Sequence, residues 1–239
     1  MHIIEFSTYC AYYKTKSGLI KALDKLSFSI DTGEIFVVVG ESGSGKTTLL
    51  KTVLGQCEYT EGDLFIDGTA VDDLSVSDRN IGYVRQEADL YPHMTVYENI
   101  AFPLRIIHTA QAEIDRRVKE IADLLEIPWL LTRKPRQLSG GQQQRVAIAR
   151  ALVKQPELIL FDEPFSNIEP NLRAEFRALL RKIHQALNPT ILFVTHDLGE
   201  AFSLADHLLV LENGSVADFG TPAELLQQHH SVLLKGYLK

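Results

Sequence analysis

The sequence predicts an α/β fold: a mixed, mainly parallel sheet, an antiparallel β margin and an inserted helical subdomain. Three observations lead there. The runs Ile35–Val39 (IFVVV), 158–161 (LILF) and 191–194 (ILFV) are wholly apolar, as strands buried on both faces are. Segments of helical spacing alternate with them, which suits parallel strands with crossover helices. Two dipeptides, Asp67 with Gly68 and Asn213 with Gly214, sit between short apolar runs and read as hairpin turns.

Taken in order, residues 3–6 and 26–30 alternate apolar and polar, as half-buried strands do. Ile35–Val39 is the first buried strand, and a helix follows from Lys46 to about Leu54. Residues 64–71 hold the first hairpin signal. Thr95 with Glu98 forms a capping box, so a helix begins at Val96. Ile114, Val118, Ile121 and Leu125 make a helical stripe over 111–126. The next buried strand is 158–161. Pro170 suits a helix's first turn, and Leu172, Phe176, Leu179, Ile183 and Leu187 form that helix's apolar stripe. After strand 191–194, Asp197 and Glu200 are placed to cap a helix. A hairpin over 208–219 follows, and Thr221, Pro222 and Glu224 open a last helix. His229 and His230 read as part of that helix's solvated face rather than a metal site. The expected division is one domain over 1–239. Residues 1–86 and 136–239 form the α/β core with its β margin, and about 87–135 form the helical subdomain. No C-terminal regulatory domain is expected.

A net charge of −7 argues against nucleic acid as a partner, because phosphate backbones require a basic surface. The cysteines, Cys10 and Cys57, are far apart and lack metal-ligand spacing, so they read as free thiols in a reducing compartment. There is no basic-then-apolar leader and no run of about eighteen apolar residues, so a membrane role requires other chains.

The stretch directly behind Val39 reads GESGSGKTT: Gly40, Glu41, Ser42, Gly43, Ser44, Gly45, Lys46, Thr47 and Thr48. Gly40, Gly45, Lys46 and Thr47 match the G-x-x-x-x-G-K-[ST] phosphate loop of P-loop NTPases. Glycines let successive N–H groups turn inward, and a helix N-terminus adds its positive end. Lys46 supplies a point charge for the β- and γ-phosphates, and Thr47 a hydroxyl for Mg²⁺. This identifies a nucleoside-triphosphate site but no class.

Asp162 ends the 158–161 run at a strand's carboxyl end, where α/β sheets bind ligands, and is placed to hold Mg²⁺. Glu163, beside it, can take a proton from an attacking water. The stretch LSGGQQQR places Ser139, Gly140 and Gly141 before a long helix, a second anion-seeking helix end.

With that stretch in place, the chain closely resembles the ATP-binding subunits of ABC transporters over about residues 3–230, LSGGQ being their signature. The resemblance implies the ABC ATPase fold. It also implies that two copies pair head to tail, ATP lying between the phosphate loop of one and the signature of the other. Tyr13 resembles the aromatic residue that stacks on adenine, with Tyr12 as the competing choice. Gln86, in YVRQ, resembles the glutamine that meets Mg²⁺ and the attacking water. His196, in LFVTHD, resembles the switch histidine at the γ-phosphate. The family's loop after the carboxylate pair usually ends in Asp; here it reads Ser166, Asn167, Ile168, Glu169. Glu169 is expected to keep that contact with altered reach.

The implied function is an ATPase with ATP and Mg²⁺ at its site, peripheral on the cytoplasmic face of a cell membrane. It would drive transmembrane permease subunits, with a solute-binding protein reached through the complex. The regions YPHMTVYENIAFPL and DEPFSN look most like importer ATPases. Short exporter or lipoprotein-release ATPases are the alternative, and a soluble repair or translation ATPase is a further one.

Overall fold

The computed structural model describes residues 1–15, 18–76, 78–166 and 168–237. They divide into two compact units, 1–81 with 189–239, and 82–188.

The first unit begins with an antiparallel sheet. It contains β1 (His2–Thr15), β2 (Gly18–Asp31), β4 (Tyr59–Ile66) and β5 (Thr69–Ala70), in the order β2-β1-β4-β5. β1 and β2 extend well beyond the alternating runs at 3–6 and 26–30. Their register breaks between Phe6 and Tyr9, and Thr8 (φ 45°) and Lys25 (φ 50°) are left-handed. Such bulges switch which residues face inward, so a period-of-two pattern cannot be followed through them.

The parallel part is built on β3 (Ile35–Val39), whose five residues are all buried. It pairs in parallel with β8 (Thr190–Thr195) on one side and β9 (His207–Glu212) on the other. β10 (Ser215–Gly220) closes the predicted hairpin against β9. Phe6, Phe28, Phe36 and Phe219 form a column from the antiparallel sheet through β3 to β10, with successive centroids 4.7, 5.4 and 6.0 Å apart. Offset aromatic contact of this kind stabilises beyond its buried area, which fixes the two sheets of this unit to each other.

Helices α1 (Lys46–Val53), α6 (Leu198–Leu204), α7 (Pro222–Gln227) and α8 (Val232–Tyr237) complete the unit. Asp197 caps α6, accepting the Glu200 N–H at 3.0 Å. The buried Glu200 carboxylate accepts the Thr195 hydroxyl at 2.7 Å, tying α6 to the end of β8. The predicted last helix stops at Gln227, and α8 lies beyond it. His229 and His230 therefore occupy a connection rather than a helix face. The His230 N–H donates to Asp218 Oδ1 at 2.7 Å.

The second unit has adjacent strands β6 (Ile81–Val84) and β7 (Leu158–Asp162), with helices α2 (Val96–Ile106), α3 (Gln111–Leu124), α4 (Gly140–Leu152) and α5 (Pro170–Leu187). The Thr95–Glu98 capping box forms as predicted. Ile114, Val118 and Ile121 of α3, and Phe176, Leu179 and Ile183 of α5, are buried. Leu187 is exposed, because Asn188 takes the left-handed conformation (φ 48°) and ends the helix there. No helix among the described residues is long and apolar enough to cross a membrane.

Candidate active site

The geometry of the glycine-rich stretch 40–48 follows from strand burial. β3 has no exposed face, so the chain leaves the sheet abruptly at Val39 and re-enters order as α1. Gly45 takes φ 110°, and a Cβ there would stand 2.8 Å from Ala22 O, so the turn into α1 tolerates only glycine. No side chain caps α1, which leaves its positive end to a ligand. Lys46 is buried, and its Nζ donates to Gly40 O and Glu41 O at 2.9 Å each. Ser44 Oγ is buried with no hydrogen-bond partner among the described residues. An orphaned hydroxyl inside a loop of this kind is unfavourable by about 1–3 kcal/mol, an expense a bound anion can offset. Glu41, Ser42, Gly43 and Thr47 are exposed.

His196 belongs to the same edge. β3 and β8 run parallel with Val39 opposite Thr195, so the phosphate loop and His196 leave neighbouring strands side by side. His196 is exposed.

Neighbouring residues of a strand face opposite ways, and this separates the two tyrosines. The Tyr12 hydroxyl donates to Glu61 at 3.0 Å, and Lys21 Nζ lies 5.5 Å over its ring. Tyr13 shares a 3.0 Å hydrogen bond with Thr48 Oγ1, and Lys51 Nζ lies 5.8 Å over its ring. Tyr13 is thus the tyrosine placed against α1. Tyr13→Ala should weaken nucleotide binding by about tenfold, the effect of losing one base stack, and Tyr12→Ala by less than about twofold. Titration with a fluorescent ATP analogue reads both.

The remaining candidates are on the second unit. Asp162 ends β7, and its Oδ2 accepts the Tyr83 hydroxyl from β6 at 3.3 Å. Burial, and then the Asp162 charge, push the Tyr83 pKa up to about 12, so the phenol remains a proton donor to that carboxylate. Glu163 has a left-handed backbone (φ 46°), held by Ser166, whose N–H and hydroxyl both donate to Glu163 O at 3.2 and 2.9 Å. An unfavourable backbone at one residue of a carboxylate pair is the kind of strain found at functional positions.

Gln86 is exposed just beyond β6. The chain on both sides of it is pinned by α4. Gln144 Nε2 lies 3.5 Å from Arg85 O, and Arg150 donates to Ala88 O and Asp89 O at 3.3 and 3.0 Å. Burial lowers the Arg150 pKa. Asn99, fully buried, accepts from Tyr91 N–H and donates to Tyr91 O, Met94 O and Thr95 O, which fixes the next stretch. At the other end of α4, Ser139 is the N-cap. Its Oγ accepts the Gln142 N–H at 3.3 Å, and the Gln142 side chain answers to Ser139 N–H at 3.1 Å. A capping hydroxyl used as acceptor keeps its proton to donate. Ser139 and Gly140 are exposed, and Gly141 lies against the Phe176 ring. Tyr83, Gln144, Arg150 and Asn99 had no separate signal in the sequence; each acts through a fold-dependent partner.

Glu169 occupies the N-cap position of α5, is exposed and makes no side-chain cap hydrogen bond. Asn167, before it, is outside the described residues. Aspartate at this position reaches the first helical N–H groups where glutamate overshoots. Glu169→Asp should therefore raise unfolding stability by about 0.5–1 kcal/mol in a denaturant titration. Unchanged ATP turnover and cooperativity in that variant would remove any catalytic significance from the extra methylene.

The sequence model of the ABC transporter family matches residues 23–166. The chain belongs to the ABC transporter family. It is 46% identical over 225 residues to the sn-glycerol-3-phosphate import ATP-binding protein UgpC of Cupriavidus pinatubonensis, covering 94% of this chain and 61% of that protein. The protein of the same name from Psychromonas ingrahamii is 47% identical over 218 residues, covering 91% and 58%. The chain thus spans about three-fifths of the length of the curated relatives it matches. Among solved structures, the ATP-binding cassette MJ0796, dimeric in a post-hydrolysis state with ADP and Pi, aligns with a TM-score of 0.81 at 32% identity, covering 92% of this chain and 98% of that one. CbiO1 of Clostridium perfringens, part of the transporter complex cbiONQ, aligns with a TM-score of 0.85 at 27% identity, covering 95% and 91%. The α/β fold with its antiparallel margin is that of the ABC ATPases.

Proposed function

We propose that the chain is the ATP-hydrolysing subunit of an ABC importer, working as a head-to-tail pair on the cytoplasmic face of a membrane against separate permease subunits. The observation that carries the reading is the pair of anion-seeking helix ends: an uncapped α1 behind the phosphate loop, and an exposed serine cap on α4.

Gly40–Thr48 as a stretch, residues 40–48, would cradle the phosphates of ATP, with Lys46 on the β- and γ-oxygens and Tyr13 under the adenine. Ser139, Gly140 and Gly141 would hold the γ-phosphate of ATP bound to the other copy. Thr47, Gln86 and Asp162 offer a hydroxyl, an amide oxygen and one carboxylate. This hard, oxygen-only set suits Mg²⁺, which is typically bound by a single carboxylate, waters and substrate phosphates. When bound, the metal would neutralise phosphate charge. Glu163 would take the proton of the attacking water, and His196 would stabilise charge at the γ-phosphate. The second unit's helices, about 87–135, would pass the closing motion to the permease, Gln86 and its α4 clamp forming the link.

The named cargo of the relatives, sn-glycerol 3-phosphate, is the first solute to test for this chain. Co-expression with candidate permease subunits should yield a membrane complex whose ATPase rate rises with solute and its binding protein. A chain that hydrolyses ATP yet copurifies with no polytopic membrane protein would overturn the importer reading.

A further inference from the structure

Three segments of the first unit converge behind the phosphate loop: residues 22–24 of β2, the loop itself, and the turn between β9 and β10. Their meeting point is Gly214. Its N–H donates to Ser44 O at 2.9 Å, and its carbonyl accepts the Asp24 N–H at 2.8 Å. Gly214 thus links the loop directly to the hairpin that carries Tyr13. The packing at this junction excludes any side chain. Gly214 has φ 80°, and a Cβ on it would meet Ala22 O at 2.6 Å and Leu23 Cα at 3.3 Å. On the loop side, a Cβ on Gly40 would stand 2.4 Å from Leu211 O. The atoms in the way are backbone, so no side-chain rotation relieves the overlap.

We propose that Gly214 is a positioning residue for nucleotide binding: it sets the backbone of the phosphate loop and locks it in register with the adenine-facing hairpin. It touches no nucleotide. It acts through the Ser44 carbonyl, one residue before Gly45 and two before Lys46, and through Asp24 midway along β2. The inference rests on the nucleotide reading above. Displacing the turn moves the phosphate and adenine ends of the site relative to each other, so affinity for the whole nucleotide falls.

The fold supplies its own control. Gly68 lies in the turn between β4 and β5 with a similar φ of 71°, but a Cβ there meets nothing within 4 Å. Gly68→Ala therefore carries the left-handed backbone strain without the junction. Full-length wild type, Gly214→Ala and Gly68→Ala are compared by titration with a fluorescent ADP analogue and by thermal melting with and without nucleotide. The expected result is a nucleotide affinity about tenfold or more weaker in Gly214→Ala, with a smaller nucleotide-induced rise in melting temperature. Gly68→Ala should keep wild-type affinity despite a lower melting temperature. Equal affinities in all three proteins, or equal losses in both variants, would overturn the inference while leaving the nucleotide reading intact. A wild type that binds no nucleotide would overturn both. Should Gly214→Ala not fold, Asn213→Ala strains the same turn (φ 49° at Asn213) without the overlap. A loss of about threefold there supports the proposal, and wild-type affinity overturns it.

Discussion

Glu163→Gln should lower steady-state ATP hydrolysis by about a hundredfold or more while ATP affinity stays within about threefold of wild type. The substitution replaces one carboxylate oxygen with an amide nitrogen and keeps the shape. It also leaves the local backbone alone. The bonds that hold Glu163 in its left-handed conformation run from Ser166 to the Glu163 carbonyl, not to its side chain. Glutamine carries the same backbone strain as glutamate there, so a loss of rate with an unchanged melting temperature points to the missing proton acceptor. A structural role would instead lower the melting temperature with little effect on turnover. Size-exclusion chromatography with ATP adds a second reading, because a pair that closes on ATP and cannot hydrolyse it should accumulate as dimer. A Glu163→Gln protein with normal turnover would remove the base assignment and leave Asp162, bonded to Tyr83, as the carboxylate to examine.

The parts of the site legible in the sequence are those where local chemistry dictates local geometry. A fully apolar strand followed by glycines, a lysine and a threonine forces a turn into a helix start, and β3 with α1 forms just that. At Ser139 the sequence pointed to a helix start that seeks an anion, but the capping box that Ser139 forms with Gln142 went unread. Residues acting across sequence distance were not readable. Arg150 contacts Ala88 and Asp89 only because α4 packs along their segment. Nothing about its spacing distinguishes it from a solvent-facing arginine. Which of Tyr12 and Tyr13 lies against α1 depends on the register of β1, and bulges obscure that register in the sequence. The length of β1 and β2 was missed for the same reason. Gly214 was visible as a hairpin turn, but its second role depends on the loop beneath it.

Mixing two inactive proteins should restore activity. Lys46→Ala removes the charge buried in the phosphate loop, and Ser139→Arg fills the exposed N-cap of α4 with a bulky cation. Ser139 is exposed, so the second change removes about 1 kcal/mol of capping without unfolding the helix. In a head-to-tail pair each nucleotide meets one chain's Lys46 and the other chain's Ser139. Either variant alone then places a defect in both sites. In a mixed pair both defects fall in one site, and the other site is built from an intact loop and an intact signature. With random pairing at equal amounts, half the pairs are mixed and each has one good site, so turnover should recover to about a quarter of wild type if sites act independently. Sites that must fire together would give less, but a rise above either parent would remain. A chain that built its whole site from its own Lys46 and Ser139 predicts something different: every protomer in the mixture is defective, and the rate equals the average of the parents at any ratio. The two arrangements therefore separate on a single titration of one variant into the other, read as phosphate release. A flat line there would require abandoning the shared-site reading even if each variant alone behaved as expected.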